Sequence, residues 1–245
     1  MHRFFIPLES FNGETVHFPK NESRQLASVL RARTSDVVIA LDNSGMEFIV
    51  ELQHVAPTNV SGKIICTRKS LGEPRVKVTL FQSIIRQDKF EYVLQKGTEV
   101  GISTFVPIST ERVMIKSSGL EKKYARWNRI LKEAAEQCNR GSIPSLYFPE
   151  SFPSALDTFT GLGLIPWEEE KQLGIQTFIR DVLHSEVEEI SIFIGPEGGF
   201  TKQEISCALR NNITAITLGQ RIFRTETAGL VTAAILLSNL GELGG

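Results

Sequence analysis

The sequence predicts an α/β fold in which a small β-barrel precedes a domain built on a parallel sheet. Before residue 72, short runs of β-forming residues alternate with turn residues such as Asn-Gly and Asp-Asn-Ser-Gly. Beyond residue 73, strand-like and helix-like segments alternate, which is typical of a parallel sheet covered by helices. A Gly-Glu-Pro break separates the two patterns, since proline restricts the residue before it and lacks a backbone donor. We therefore expect domains at residues 1–72 and 73–245.

The first domain contains four strand-like runs and one helix. The helix covers residues 21–31 and places Leu26, Val29 and Leu30 on one face. Short strands separated by turns in this way indicate a barrel. The strand-like runs cover residues 4–7, 37–41, 47–52 and 62–68.

The second domain repeats a strand, a loop and a helix. Helices are expected at residues 89–100, 120–138, 201–211 and from 227 onward. Strands are expected at residues 76–83, 104–108, 163–166, 189–194 and 215–218. In such sheets ligands bind beyond the carboxyl ends of the strands, so the loops at those ends are the candidate site.

Composition excludes several classes of protein. Hydrophobic residues make up 41% and charged residues 22%, which is globular composition and excludes a mainly disordered chain. The apolar run at residues 228–237 is far shorter than the roughly 20 residues of a membrane span. The first residues lack the pattern of a secretory signal, so we expect a cytoplasmic protein.

Cysteine and histidine spacing predicts neither a disulfide framework nor a metal site. The three cysteines are widely separated and form no CxxC pair. The four histidines fall in no arrangement typical of a catalytic triad or of metal ligands. We therefore expect no metal cofactor.

Basic residues concentrate in the middle of the chain, although the net charge is only −1. Residues 73–150 carry 13 lysines and arginines against nine acidic residues. Such a cluster is typical of a polyanion-binding surface or of the solvated face of an amphipathic helix, and charge alone favours the helix face. The cluster consists of Arg112, Lys116, Lys122, Lys123, Arg126, Arg129, Lys132 and Arg140.

The segment IGPEGGF, residues 194–200, joins an apolar strand to a helix that opens with the capping-box spacing of Thr201 and Glu204. Its glycines let the backbone approach a ligand closely. It does not fit the dinucleotide pattern GxGxxG, Pro196 lacks an N–H, and Glu197 would repel a pyrophosphate. The loop therefore favours a ligand that carries positive charge or hydroxyl groups.

Two further strand ends carry polar or unusual residues. The strand ending at Gly219 leads into the loop QRIFRTET, and another strand ends at residues 164–167. Each loop alone is an ordinary turn, but three neighbouring strand-end loops that converge predict a binding pocket.

Several sequence blocks occur in one order along nearly the whole chain. IGPEGGF followed by LGQRIFRTETA is the most specific pair, and HRFF, KGTEVGI, EAAEQCNRGSIP and, more weakly, ERV agree with it. Together they resemble the ribosomal RNA small subunit methyltransferase E family of the SPOUT superfamily. The chain departs from the family pattern at Gln25, Ser35 and Phe223, where His, Gly and Leu are usual.

This resemblance implies a PUA-like β-barrel that positions RNA, followed by a SPOUT domain with a trefoil knot, in a homodimer. It implies S-adenosyl-L-methionine as cofactor. The residues implied to bind it are Ile165, Pro166, Ile194, Gly195, Glu197, Gly198, Leu218, Gly219, Ile222, Thr225 and Ala228.

The implied reaction is methylation at N3 of a uridine in small-subunit (16S) ribosomal RNA. That nitrogen must lose its proton, and negative charge then builds on the flanking carbonyl oxygens. Glu226 is the candidate base, and Arg224 and Arg112 are candidate catalytic donors. Two other interpretations remain open: an ion pair between Arg224 and Glu226, and a helix-capping role for Glu226.

The resemblance also implies a partner, either naked ribosomal RNA or the assembled small subunit. A non-catalytic RNA-binding module, or a related SPOUT enzyme with another target nucleotide, is the alternative. The candidate RNA contacts are Arg3, Arg31, Lys96, Arg112, Gln137 and Arg140.

Overall fold

The computed structural model describes residues 1–113, 120–183 and 186–244, so Lys116 of the basic cluster and His184 lie outside the described residues. The chain separates into two compact units. One comprises Met1–Glu73 with Lys132–Ile143, and the other comprises Pro74–Leu131 with Pro144–Gly245. The sequence assigned residues 132–143 to the second domain. The structure groups these residues with the first unit instead. Glu136 accepts a hydrogen bond from the Phe5 N–H at 2.8 Å, and Ala135 packs in the core of that unit.

The first unit is a curled, mixed sheet of six strands, consistent with the predicted small barrel. Its strands run in the order β1-β4-β5-β6-β3-β2, and only the β1–β4 pair is parallel. The β2–β3 hairpin was not predicted because both strands are very short. The strands are β1 (Arg3–Phe5), β2 (Phe11–Asn12), β3 (Thr15–Phe18), β4 (Val37–Leu41), β5 (Met46–Ala56) and β6 (Asn59–Lys69).

The helix of the first unit begins as α1 (Lys20–Arg24) and continues as a π-helical segment, Gln25–Val29. Leu26 is fully buried in the barrel core, but Val29 is 71% exposed. The predicted common face is therefore wrong for Val29, because a π-helical turn holds more residues than an α-helical turn and rotates the later side chains away.

In the described residues of the second unit, seven strands form a sheet and all of them pair in parallel, which confirms the predicted parallel sheet. Their path is β10-β8-β7-β12-β11-β13, with β9 also paired to β8. The strands are β7 (Lys77–Ser83), β8 (Thr104–Ser109), β9 (Ser145–Leu146), β10 (Glu150–Ser151), β11 (Leu162–Pro166), β12 (Glu189–Ile194) and β13 (Thr214–Ile216).

Along the described part of the chain, six further helices accompany this sheet, and the predicted set lacked two of them, α4 and α5. Thr201 and Glu204 form the predicted capping box at the start of α6. Gly101 ends α2 with a φ of 111°, a conformation that glycine tolerates. The helices are α2 (Gln87–Val100), α3 (Leu120–Gln137), α4 (Phe152–Thr158), α5 (Ile175–Val182), α6 (Lys202–Arg210) and α7 (Thr225–Asn239).

The two faces of the parallel sheet pack differently. On one face, Phe81 and Phe193 stack with ring centroids 4.4 Å apart among residues of α4 and α6. On the other face, α7 packs closely against the sheet, and Gly229 permits this because it has no side chain. A Cβ at this position would lie only 3.0 Å from the Leu80 side chain. The close packing sets the first turn of α7 beside the carboxyl end of β12. In the described part of the chain, no helix combines the length and apolarity needed to cross a membrane.

Candidate active site

Loops at the carboxyl ends of four parallel strands, β7, β11, β12 and β13, surround a cavity of about 480 Å³ in the second unit. A smaller recess of about 170 Å³ shares part of its wall. The larger volume lies within the range of about 300–1,000 Å³ that is typical of ligand sites. Its lining comprises Lys89, Pro166, Glu168, Ile194, Gly195, Pro196, Glu197, Gly198, Gly199, Phe200, Ile222, Phe223, Arg224, Thr225, Glu226 and Ala228.

The glycine loop after β12 is held from outside by the segment after β8. Arg112 donates from its guanidinium to the backbone carbonyl of Gly198. Its neighbour Glu111 donates its N–H to the Glu204 carboxylate at 2.8 Å and accepts from the Thr201 hydroxyl at 2.8 Å. The capping box of α6 therefore also anchors residues 111–112, which in turn fix the loop.

A buried hydrogen-bond chain fixes the start of α7 to the same loop. The Gln82 amide, which is 1% exposed, donates to the Thr225 hydroxyl at 3.0 Å. That hydroxyl donates to the Gly195 carbonyl at 2.5 Å. Thr225 stands between Arg224 and Glu226, so the chain sets the position of both charged residues relative to β12.

Three charged side chains meet at the cavity wall. The Lys89 ammonium lies 3.3 Å from Glu197 Oε1 and 3.4 Å from Glu226 Oε2. Glu226 is largely shielded from solvent, and its Oε2 accepts no hydrogen bond from any described residue. Its contact with Lys89 is therefore an ion pair without hydrogen-bond geometry. A buried acceptor left in this state favours a ligand that donates to it.

Arg224 also lines the cavity but is exposed. Within the described ranges, its guanidinium makes no ion pair or hydrogen bond. The alternative in which Arg224 pairs with Glu226 is wrong, because Glu226 pairs with Lys89 instead. Glu226 does not hold the N-cap position of α7 either, since that residue is Arg224 and Glu226 lies within the first turn. Both groups remain available for a ligand.

Comparison with known proteins agrees with this geometry. Residues 72–237 match the family model described as RNA methyltransferase domain. The ribosomal RNA small subunit methyltransferase E of Bacillus subtilis (strain 168) is 32% identical over 246 residues, covering 94% of this chain and 93% of the relative. The chain belongs to the ribosomal RNA small subunit methyltransferase E family.

Solved structures extend the likeness to the whole fold of this methyltransferase family. The crystal structure of a ribosomal RNA small subunit methyltransferase E from Neisseria gonorrhoeae, bound to S-adenosyl methionine, has a TM-score of 0.86 and 29% identity and covers 97% of both chains. A putative methyltransferase from Legionella pneumophila, in complex with the same cofactor, has a TM-score of 0.85 and 27% identity, again with 97% coverage of both chains. The predicted family and the predicted fold class, a small barrel before a SPOUT domain, are confirmed. The trefoil knot remains a prediction.

The predicted cofactor-binding residues separate into three groups. Leu218 and Gly219 line only the smaller recess. Ile165 is fully buried in the core cluster that includes residues of α6 and lines neither of the two cavities, so its contact with the cofactor stays a prediction. The remaining eight line the larger cavity: Pro166, Ile194, Gly195, Glu197, Gly198, Ile222, Thr225 and Ala228.

The candidate RNA contacts in the first unit differ in exposure. Arg3 pairs with Glu47 at 2.8 Å with both side chains 5% exposed, and the buried Arg140 pairs with Glu73 at 2.8 Å. The expectation that Arg3 and Arg140 contact RNA therefore does not fit their burial, since each already neutralises an internal carboxylate. Arg31, which has a φ of 53°, and Gln137 are exposed as an RNA contact requires. The structure supports Arg31 and Gln137 as RNA contacts through this exposure alone.

The candidate RNA contacts in the second unit are Lys96 and Arg112. Lys96 forms a surface ion pair with Glu99 at 2.8 Å, which costs little to open. Arg112 is exposed, but it contacts the Gly198 carbonyl and is absent from the cavity wall. Its position supports a role in holding the glycine loop.

Sequence reasoning missed Lys89, Gln82 and Glu168. The strand-end argument was applied to three strands and omitted β7, whose end carries Gln82 and leads to Lys89 in the first turn of α2. Applied to every strand, the same argument would have identified this fourth loop. Among the described residues, no cluster of His, Cys, Asp or Glu could hold a metal ion.

Proposed function

We propose that this chain transfers a methyl group from S-adenosylmethionine to N3 of a uridine in small-subunit ribosomal RNA. The observation that carries the proposal is the position of two groups at the wall of one cavity: an exposed, unengaged Arg224, and Glu226, whose Oε2 accepts no hydrogen bond from the described residues. Relatives named as ribosomal RNA small subunit methyltransferase E across most of the chain support this reaction class.

The residues around the cavity fit the methyl donor. Pro166, Ile194 and Ile222 supply apolar walls for a nucleoside, and Glu197 and Glu226 supply negative charge for a cationic ligand. The loop lacks a phosphate cradle, because Pro196 has no N–H and Glu197 is acidic. When bound, the donor supplies a methyl group already activated by a positively charged sulfur.

The protein's own groups then act on the uridine. Glu226 Oε2 is the acceptor for the proton that N3 loses, because it is buried and accepts no hydrogen bond from the described residues. Arg224 donates to the carbonyl oxygens beside N3, where negative charge accumulates during transfer. Arg112 acts indirectly, by holding the Gly198 carbonyl and hence the loop that carries Glu197.

The proposal also covers the assembly. The first unit, residues 1–73 with 132–143, positions RNA, with Arg31 and Gln137 as its candidate contacts. A homodimer is supported by the middle of α7, where the half-buried residues are apolar, namely Leu230, Val231, Ala234 and Ile235. Light scattering on the purified protein should therefore give twice the mass of the chain.

The reaction is tested by incubating the protein with radiolabelled S-adenosylmethionine and either naked ribosomal RNA or small ribosomal subunits. Digestion of the RNA should release labelled 3-methyluridine. Label in another nucleoside would show that the protein is a methyltransferase with a different target nucleotide. If the protein binds RNA but neither binds the donor nor transfers its methyl group, the proposal is wrong and the protein is a non-catalytic RNA-binding module.

A further inference from the structure

Lys89 occupies a position that the proposed chemistry does not explain. It reaches the cavity from the first turn of α2 and lies between two carboxylates, Glu197 and Glu226. We propose that Lys89 is an exchangeable internal counter-cation, displaced by the positive charge of the methyl donor, so that the cavity discriminates between the charged donor and its neutral-sulfur product. This inference rests on the proposed use of S-adenosylmethionine.

The contacts of Lys89 suit displacement. Its distances to the two carboxylates are 3.3 and 3.4 Å, and the contact with Glu226 lacks hydrogen-bond geometry. The lysine side chain is 24% exposed, so its ammonium can turn toward water when a ligand enters. A flexible four-carbon stem permits this motion, whereas a bidentate arginine would be held more firmly.

Before the ligand binds, Lys89 offsets the negative charge of both carboxylates. Without Lys89, two carboxylates would face one cavity without a nearby cation among the residues that pair with them. Unpaired negative charge in a partly dry site is costly, and a lysine between the two groups offsets that cost. A cationic ligand can take over this role, but a neutral one cannot.

The donor and its product differ in this charge. During transfer the S–C bond breaks with its electron pair left on sulfur, a bond forms between the methyl carbon and N3, and the N3 proton passes to the base. The product therefore carries one positive charge fewer than the donor. Lys89 then regains its electrostatic role beside Glu197, which favours product release.

The experiment compares binding of S-adenosylmethionine and S-adenosylhomocysteine by calorimetry. In Lys89→Met, the donor no longer competes with an internal cation, so its affinity relative to the product should rise by at least about tenfold. Lys77→Met removes an exposed lysine at the amino end of β7 in the same unit and should leave the ratio unchanged. Lys89→Arg keeps the charge but is held more firmly by the carboxylates, so its ratio should not exceed the wild-type ratio.

Glu197→Gln supplies an independent arm, since it removes negative charge and should lower the affinity for the donor relative to the product. This variant also tests the inference if Lys89→Met does not fold, which thermal unfolding would reveal. A ratio in Lys89→Met or Glu197→Gln within about twofold of wild type would overturn the inference while leaving the proposed function intact. Wild-type protein that binds neither ligand would overturn the proposed donor itself.

Discussion

The two units differ in how completely their buried carboxylates are hydrogen-bonded. In the first unit, both oxygens of Glu47 are paired, with Arg3 at 2.8 Å and with Arg68 at 2.9 Å. In the second unit, Glu226 Oε2 accepts no hydrogen bond from the described residues, although the side chain is only 13% exposed. A buried carboxylate with both oxygens paired is well accommodated in the fold, whereas one with an oxygen left unpaired costs stability unless a ligand supplies the missing partner.

The difference separates structural from functional charges where residue type alone does not. Arginines and glutamates occur in both clusters, and the same types were predicted to bind RNA or to catalyse. Arg3 neutralises an internal carboxylate, whereas Arg224 is exposed at a cavity. Removing a charge from the first cluster should therefore lower stability, and removing one from the second should lower activity.

The largest effect is expected for Arg224→Ala. Loss of a fixed donor to the developing negative charge should lower kcat by about 10³-fold, or about 4 kcal/mol of transition-state stabilisation. The melting temperature should stay unchanged because the side chain is exposed. Single-turnover methyl transfer and thermal unfolding measure the two quantities. Arg180→Ala, which breaks only an exposed pair with Asp181, is the matched control. Full activity in Arg224→Ala would remove the arginine from the reaction.

The opposite pattern is expected for Glu47→Gln. The substitution leaves the buried Arg3 guanidinium without its carboxylate and should lower the free energy of unfolding by about 3 kcal/mol. Donor affinity should not change, since the cavity lies in the other unit. Urea unfolding with calorimetric donor titration tests both statements. Glu14→Gln, which breaks an exposed pair with Lys63, should change stability by under about 0.5 kcal/mol.

The same cluster predicts a pH dependence. Burial by itself would raise the pKa of Glu47, but the hydrogen bonds and charges of Arg3 and Arg68 outweigh it, so the pKa is lowered. A lowered pKa contributes stability above the pKa of the unfolded chain, and that contribution is lost as pH falls through the folded value. Wild type should therefore lose stability in acid faster than Glu47→Gln. Parallel acid unfolding curves would contradict the assignment.

A smaller loss of activity is expected for Glu226→Gln. Without a proton acceptor at this position, kcat should fall by about 10²-fold, or about 2.7 kcal/mol. Stability should be unchanged or slightly higher, because a carboxylate oxygen without a hydrogen bond is replaced by a neutral amide. Glu188→Gln, on an exposed carboxylate before β12, is the control. If Glu226→Gln retained the wild-type rate across pH, the base would have to be another group.

Local pattern was sufficient for the long apolar strands. β4 (Val37–Leu41) and β12 (Glu189–Ile194) have the bounds that the sequence predicted, because each is mainly apolar and is followed by turn residues. The short α4 was missed although Ser151 caps it and proline stands in its first turn, which are readable start signals. In seven residues the helical period repeats too few times to stand out.

The site was predictable only where motifs are contiguous. The glycine loop and the RTET segment were identified, but the Lys89 ion pairs join residues 108 and 137 positions apart. Burial of Arg3 likewise depends on Glu47, 44 residues away. No local pattern encodes such distances, so the direction in which each charge points had to come from the structure.

The smallest effect concerns Glu136, the exception within the first unit. Burial raises the pKa of its carboxyl group, helped by the negative charges of Glu22 and Glu133, while the Phe5 N–H and Lys132 lower it less. Between the unfolded pKa and this raised value, the folded protein keeps a proton that the unfolded chain releases, so stability falls as pH rises through that window. Glu136→Gln cannot titrate and still offers an acceptor to Phe5. At neutral pH it should therefore be more stable than wild type by up to about 1 kcal/mol, with the difference shrinking below the unfolded pKa. Unfolding free energies of both proteins, measured from acid to neutral pH, test this. If the variant loses stability relative to wild type as pH rises from acid to neutral, the ion pair with Lys132 outweighs burial.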